Sequence, residues 1–370
     1  MSAAVKTMTL NLGPQHPATH GVLRVVLELD GETILRATPH LGYLHTGIEK
    51  NAEDKLYYKV IPMTDRMDYL APMSNNLGYV LTVEKLLGIE VPEKVKFARV
   101  LLTELTRLNS HLVWLGTHAL DIGAMSMVLY TFREREMLLD VYEAVSGQRM
   151  MSTYFRVGGL AYDLPSDLDM RIKKILTVLP QKMKEYEDLL SNNRIWIKRL
   201  TGVGKLTAEQ ALELSVTGPV LRSTGIRYDV RKAHPYCGYE KFDFDIPVGT
   251  KGDCYDRYLV RMEEMRQSLR IMKQAMEGMP EGPHMADVPG VTPPPKPDVL
   301  TRMEALIFHF KIFTEGFRVP AGSYYQAIES PKGELGYYIV SDGGTKPYRM
   351  RVRPPSMINL QALNSMVTGG

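Results

Sequence analysis

Residues 13–21, GPQHPATHG, set two imidazoles, His16 and His20, among Gly13, Pro14, Pro17 and Gly21. Proline fixes φ and removes a backbone donor, so the stretch cannot be an ordinary helix or a central strand. It reads as a stiff turn at a strand end, a place suited to binding or proton transfer by histidine. The blander alternative is that both rings only hydrogen-bond the turn. A second concentration of chemistry lies in residues 64–72, TDRMDYLAP, where Arg66, Asp68 and Tyr69 crowd one turn. Its plain reading is surface capping by Asp65, with Arg66 in a local ion pair. Asp121, beside His118, closes the longest apolar periodic stretch, where a cap-region carboxylate is the default. Cys237 and His234 form a possible thiol–imidazole pair without a positioned third group. The motif TGVGK (201–205) lacks phosphate-loop spacing and a strand–helix context. The proline in HPATH prevents the helix that would bring both rings to one face for zinc.

The elements that must hold these residues follow from periodicity. Met8–Leu12, 22–29 and 33–39 read as strands, with Asp30-Gly31 as a hairpin signal between the last two. Helical periodicity then predicts helices over 66–87, 92–121, 125–146 and 167–190, the last interrupted near Pro180. In the second of these Phe97, Leu101, Leu105, Leu108, Leu112, Leu115 and Ala119 return on one face. Short connections and wide apolar faces predict a bundle. Residues 195–250 are irregular, with a short strand expected at 242–246. A long helix is expected over 253–277, burying Met262, Leu269, Met272 and Met276. The stretch 280–297 contains seven prolines and reads as an extended loop, followed by a helix over 299–317. Strands at 324–329, 336–341 and 348–352 close the chain. The expected architecture is α+β and mainly helical: an antiparallel sheet unit (1–63), a central helical bundle (64–194) and a mixed unit (195–370).

Composition bounds the function. With 370 residues, 44% apolar and 24% charged, the chain can bury a large core. Lys plus Arg number 45 against 42 Asp plus Glu, a net charge of +3, too balanced to argue for nucleic acid. No run approaches the roughly 18 apolar residues of a membrane span, and the first residues carry no signal-peptide pattern. Work at a membrane would therefore proceed through partners. Two cysteines, Cys237 and Cys254, exclude a disulfide scaffold and a Cys-only iron–sulfur site built by this chain. The 22 methionines suit an irregular interior.

The blocks GPQHPATHGVLR, PHLGYLHTGIEK, DRMDY, THALDIGAM, FREREMLLDVYE, RVGGLAYDLP, GDCYDRYLVRMEEMRQSLRI and ESPKGELGYYIVSDGG together closely resemble one family. It is the large quinone-pocket subunit of respiratory complex I, the proton-pumping NADH:quinone oxidoreductase, and the likeness runs from about residue 9 to the end. That family is itself similar to the large subunit of nickel–iron hydrogenases, which implies a hydrogenase-like fold. Hydrogenases hold their metals with two CxxC pairs; here the first pair of positions holds Asp68 and Ala71, which cannot replace thiolates. The second pair would lie in a segment that the family carries beyond the equivalent of Gly370.

The resemblance implies a quinone head-group site in which His20 and Tyr69 bind the quinone and Asp121 hydrogen-bonds the histidine. Quinone is then the substrate, and no cofactor is held by this chain alone. The chemistry is coherent: reduction to quinol takes two electrons and two protons, and a phenol and an imidazole can each donate and be re-protonated. A carboxylate raises the imidazole's hold on its proton and orients the ring. Arg66 is implied to approach the terminal 4Fe-4S cluster of a small iron–sulfur partner subunit, stabilising its reduced state. Other implied partners are the remaining peripheral-arm subunits and the membrane-arm quinone-channel subunit. The implied location is peripheral, on the cytoplasmic side of a bacterial inner membrane. His45 and Glu49 are candidates for a charged path toward the membrane arm. Thr46 stands where animal mitochondrial members have arginine, which fits a bacterial origin. Two alternatives are a relative fed by ferredoxin or a flavin cofactor, and a structural scaffold that has lost its pocket.

One departure from the family has a measurable consequence. Many relatives carry a histidine two positions after the equivalent of Arg149, near the cluster; here the residue is Met151, which cannot titrate. The partner cluster's potential should therefore depend only weakly on pH. A steep proton-linked slope in an equilibrium redox titration of the assembled complex would contradict this.

Overall fold

The computed structural model describes residues 7–19 and 21–370. In chain order the elements are β1 (Met8–Leu12), β2 (Gln15–His16), β3 (Gly21–Val22), β4 (Arg24–Asp30) and β5 (Thr33–His40), then α1 (Ile48–Glu53), α2 (Tyr57–Thr64), α3 (Pro72–Leu87), α4 (Glu93–Ile122) and α5 (Ser126–Ser146). A short hairpin, β6 (Phe155–Arg156) and β7 (Gly159–Leu160), precedes α6 (Leu168–Leu190), α7 (Arg194–Leu200), α8 (Ala208–Glu213), α9 (Pro219–Arg222) and α10 (Val230–Ala233). The chain finishes with α11 (Cys254–Gly278), α12 (Lys296–Thr301), α13 (Met303–Thr314), β8 (Gly322–Ser330), β9 (Gly333–Ser341), β10 (Arg349–Arg353), α14 (Pro355–Asn359) and α15 (Leu363–Val367). It is an α+β arrangement, dominated by helices with small antiparallel sheets.

The first sheet has the order β1-β4-β5, all antiparallel. Along β4 the residues alternate: Val25, Leu27 and Leu29 are buried while the others face outward. That face is covered by the last helix, Leu363 and Val367 packing on Val25, Leu27, Leu29 and Ala37. The Asn364 side chain also accepts the Ala37 N–H at 2.9 Å, so the two ends of the chain are fastened together. The second sheet, in the order β10-β9-β8, lies against α3.

Helix α4 is the centre of the molecule. The apolar stripe from Leu101 to Ala119 is fully buried, but so are Arg99, Thr103, Glu104, Arg107 and His111 on its other faces. It is wrapped by α3, α5 and α11, and the main apolar core runs from Ala52 to Met350. The polar residues are accommodated by a buried ionic network. Glu104 accepts from Arg107 (3.1 Å), Arg231 (3.0 Å), Tyr239 (2.7 Å) and Ser268 (2.7 Å). Arg231 forks onto Asp229 at 3.0 and 2.6 Å. Arg222 joins Glu264 at 2.9 Å and Glu329 at 2.8 Å, and Glu264 meets His111 at 2.8 Å. Burial alone would raise the Glu104 carboxyl, but Arg107 and Arg231 overcome it and hold the group at about 2.

Several expected boundaries move. The helix expected from residue 66 begins at Pro72, because Ala71, next to proline, takes φ −131° and ψ 49° and Pro72 sits in the first turn. An unexpected helix, α2, precedes it despite Pro62. Helix α6 runs uninterrupted through Pro180, which lies on its exposed side, where the freed carbonyl can be met by solvent. The strand expected at 242–246 does not form. Phe242 and Phe244 are buried and alternate with exposed residues, but the N–H groups of Asp243 and Asp245 are taken by the side chains of Gln274 and Gln267 on α11. The helix expected over 299–317 is two, broken at Arg302 with ψ 127°.

Removing Arg231 leaves Asp229 and Glu104 facing each other in the interior without their shared cation. Arg231→Met should lower the unfolding free energy by about 3–5 kcal/mol at pH 7, read from urea midpoints. Because the folded Glu104 carboxyl is depressed, its contribution is complete above the ordinary range near 4.5 and fades as pH falls toward about 2. The difference between wild type and variant should therefore shrink at pH 3.

Candidate functional site

Residues 65–71 form a tight connection between α2 and α3, braced by hydrogen bonds to its neighbours. Asp65 is fully buried and accepts from the Thr153 hydroxyl. Burial raises its carboxyl against the pull of Thr153 and Asn76. Asn76 donates to Thr64 Oγ1 at 2.9 Å, and Asn75 donates to the Asp68 carbonyl at 3.0 Å. Asp68 Oδ1 accepts the Leu70 N–H at 3.2 Å. The surface-cap reading of Asp65 and Arg66 is therefore wrong: Asp65 is interior, and Arg66 donates to the Pro62 carbonyl at 2.5 Å. The connection also receives the segment carrying Met151, through Thr153.

This framework holds Tyr69 outward. Its side chain is 52% exposed, where a tyrosine serving the core would be covered. Arg66 is exposed on the same connection. Asp68 has its second oxygen 2.6 Å from Lys332 Nζ, which also donates to Ser110 of α4 at 3.1 Å. An ammonium thus sits against that carboxylate, and the turn is tied to both the β8–β9 hairpin and α4. The hairpin tip is itself fixed by a close approach: a Cβ at Gly333, φ +131°, would lie 2.7 Å from the Thr217 hydroxyl and 3.0 Å from the Thr217 carbonyl carbon.

Asp121 lies exposed in the last turn of α4. That is the negative end of a 30-residue helix, where a carboxylate is electrostatically disfavoured and does not serve as a cap. The helix end is closed instead by Gly123 in the left-handed region, φ +105°, and by Arg199 donating to the Ile122 carbonyl. His118, one turn earlier, stacks on Trp114 with ring centroids 5.4 Å apart. The His loop is a short 3-10 turn between β2 and β3, closed by Thr19 Oγ1 donating to the His16 carbonyl at 2.8 Å. His20 itself lies outside the described residues.

Other expectations resolve more simply. Glu49 accepts from Arg351 and from the Val352 N–H, both at 2.8 Å, so it fastens α1 to β10, while His45 is exposed. Burial pushes the Cys237 thiol up to about 11, which removes it as a nucleophile near neutral pH. TGVGK packs over the start of α11, with the Gly202 N–H on Asp253 at 2.8 Å. Among the described residues no group of three or more His, Cys, Asp or Glu gathers as metal ligands. Among them too, no helix is long and apolar enough to cross a membrane. Sequence reasoning missed Lys332, which is 264 positions from Asp68; a lysine at a hairpin tip gives no local sign of a distant partner.

The chain's relatives bear on this geometry. Residues 121–370 match the family model described as the respiratory-chain NADH dehydrogenase, 49 Kd subunit. The chain belongs to that family. A Solibacter usitatus protein, named as a subunit of NADH-quinone oxidoreductase, is 60% identical over 364 residues, covering 98% of this chain and 89% of the relative. The corresponding NADH-quinone oxidoreductase subunit of Geobacter sulfurreducens is 56% identical over 367 residues, covering 99% of this chain and 94% of the relative. A counterpart of the same name from Chloroflexus aurantiacus is 58% identical over 372 residues, covering 100% of this chain and 90% of the relative. As a member of the 49 kDa family, the chain is one subunit of a respiratory oxidoreductase.

The raised Cys237 thiol makes a direct prediction. At pH 8.5 iodoacetamide should alkylate it at least about 100-fold more slowly in the folded chain than in the denatured one, as followed by peptide mass mapping.

Proposed function

We propose that this chain forms one wall of a quinone head-group site in a multisubunit NADH:quinone oxidoreductase. Tyr69 donates a hydrogen bond, and then a proton, to one quinone carbonyl oxygen; His20 does so at the other. Asp121 orients the imidazole and favours its protonated form. Two electrons and two protons convert quinone to quinol, and the electrons come from a partner's 4Fe-4S cluster. Arg66 faces that cluster and favours its reduced state. In this reading the chain holds no cofactor of its own, and its fold is of the nickel–iron hydrogenase large-subunit type.

The observation that carries the reading is the phenol of Tyr69, 52% exposed on a connection braced by hydrogen bonds to Asp68 and Thr64. A rigid support with an outward proton donor is what preorganised proton delivery requires. Asp121 adds to it, standing where a helix end disfavours a carboxylate. Names of relatives such as that from Geobacter sulfurreducens supply the substrate class.

Partner contacts are proposed on α13, which turns Leu306 (48% exposed), Phe308 (49%), Phe310 (65%) and Phe313 (45%) outward. Small iron–sulfur, peripheral-arm and membrane-arm quinone-channel subunits are the proposed neighbours. They would hold the chain peripherally on the cytoplasmic face of the membrane.

In the assembled complex, Tyr69→Phe should reduce quinone turnover roughly 100-fold while electron transfer to a hydrophilic artificial acceptor is unchanged. Unchanged quinone turnover would remove Tyr69 from the chemistry; loss of both activities would mean misassembly.

A further inference from the structure

Helix α13 has two apolar sides. Ala305 and Ile312 are buried against the chain's own body, and Tyr58 of α2 fastens the helix end by donating to the Phe313 carbonyl. On the far side Met303, Leu306, Phe310 and Phe313 are exposed, at successive intervals of three, four and three residues. Taken at 3.6 residues per turn they form one stripe, with Ile307 at its margin. That spacing is the seam of a pair of helices packed along their length.

The charges beside the stripe say what can cover it. Between Met303 and Phe313 only Glu304 and Lys311 are acidic or basic, and both are exposed. They are seven residues apart, which returns them to nearly the same angle of the helix, so one flank carries both signs. Let a second α13 run antiparallel, with Leu306 opposite Phe310. Met303 then falls opposite Phe313. Glu304 comes within one residue, about 1.5 Å along the axis, of the second copy's Lys311. Two-fold symmetry repeats this ion pair at the other end. A parallel pair would instead set Glu304 on Glu304 and Lys311 on Lys311, so the charges select the antiparallel arrangement.

We propose that the free chain pairs with a second copy of itself through α13, antiparallel and two-fold symmetric. The contact is self-complementary and closed, so it ends at two copies. It keeps five large apolar side chains from water. Pairing then competes with assembly, because the same face goes to other subunits in the complex. That competition rests on the assignment of α13 to partner contacts; the pairing itself does not.

The test is sedimentation equilibrium of the purified full chain, 41.8 kDa, over a range of concentrations. The mass should rise from that of one chain to twice it and stop there. Leu306→Glu and Phe310→Glu should each remain single throughout, with an unchanged circular dichroism spectrum. At low ionic strength, Glu304→Lys and Lys311→Glu, each alone, should self-associate at least about tenfold more weakly than wild type, because attraction becomes repulsion at two contacts. Mixed together, these two variants should pair about as tightly as wild type, since each supplies the charge that the other lacks. A chain that stays single at every concentration, or pairing that survives Leu306→Glu or Phe310→Glu, overturns the proposal. So does growth beyond two copies, or a mixture of the charge variants that pairs no better than its parts.

Discussion

The fold depends on how it satisfies charge inside its longest helix. Glu104, Arg107 and His111 of α4 are removed from water, and bare ions there would cost several kcal/mol each. They are met by Arg231 and Asp229 around α10, Arg222 of α9, Glu264 of α11 and Glu329 of β8. The network thus selects one mutual arrangement of these elements, where apolar packing alone would tolerate several. Three guanidiniums face four carboxyl groups. Burial pushes the Glu329 carboxyl up against the pull of Arg222, while Arg107 and Arg231 hold Glu104 down and Arg231 holds Asp229 down.

The candidate site hangs on this frame. Arg107 donates to the carbonyls of Glu329 and Ser330, which fixes the start of the β8–β9 hairpin. The hairpin in turn presents Lys332 to Asp68, and Asp68 belongs to the connection that holds Tyr69 and Arg66 outward. Rigidity at Tyr69 is therefore inherited from charge pairs deep in the core. Membership of the 49 kDa family fits a chain whose exposed chemistry is sparse and rigidly supported. Apolar surface such as that of α13 is left for other subunits in this reading.

Much of the architecture was legible in the residues. Period-two alternation with Asp30-Gly31 located the first hairpin, and the Leu101-to-Ala119 stripe located α4. Glycine stops at Gly88, Gly123 and Gly147 located helix ends, all three in the left-handed region. Errors arose where a local signal had a distant answer. Phe242 and Phe244 alternate as in a strand, but glutamines of α11 took the backbone donors. Asp65 looked like a solvent-facing cap because nothing nearby announces Thr153, 88 positions away.

By itself the sequence determined the helix-and-sheet inventory, the family and the identity of the chemically able residues, because these depend on spacing and on side-chain type. Tertiary structure alone decided that Arg107 and Glu104 are interior and that Lys332 reaches Asp68. The physical reason is that a charge on a helix reads as solvated until its partner is brought in from more than a hundred residues away.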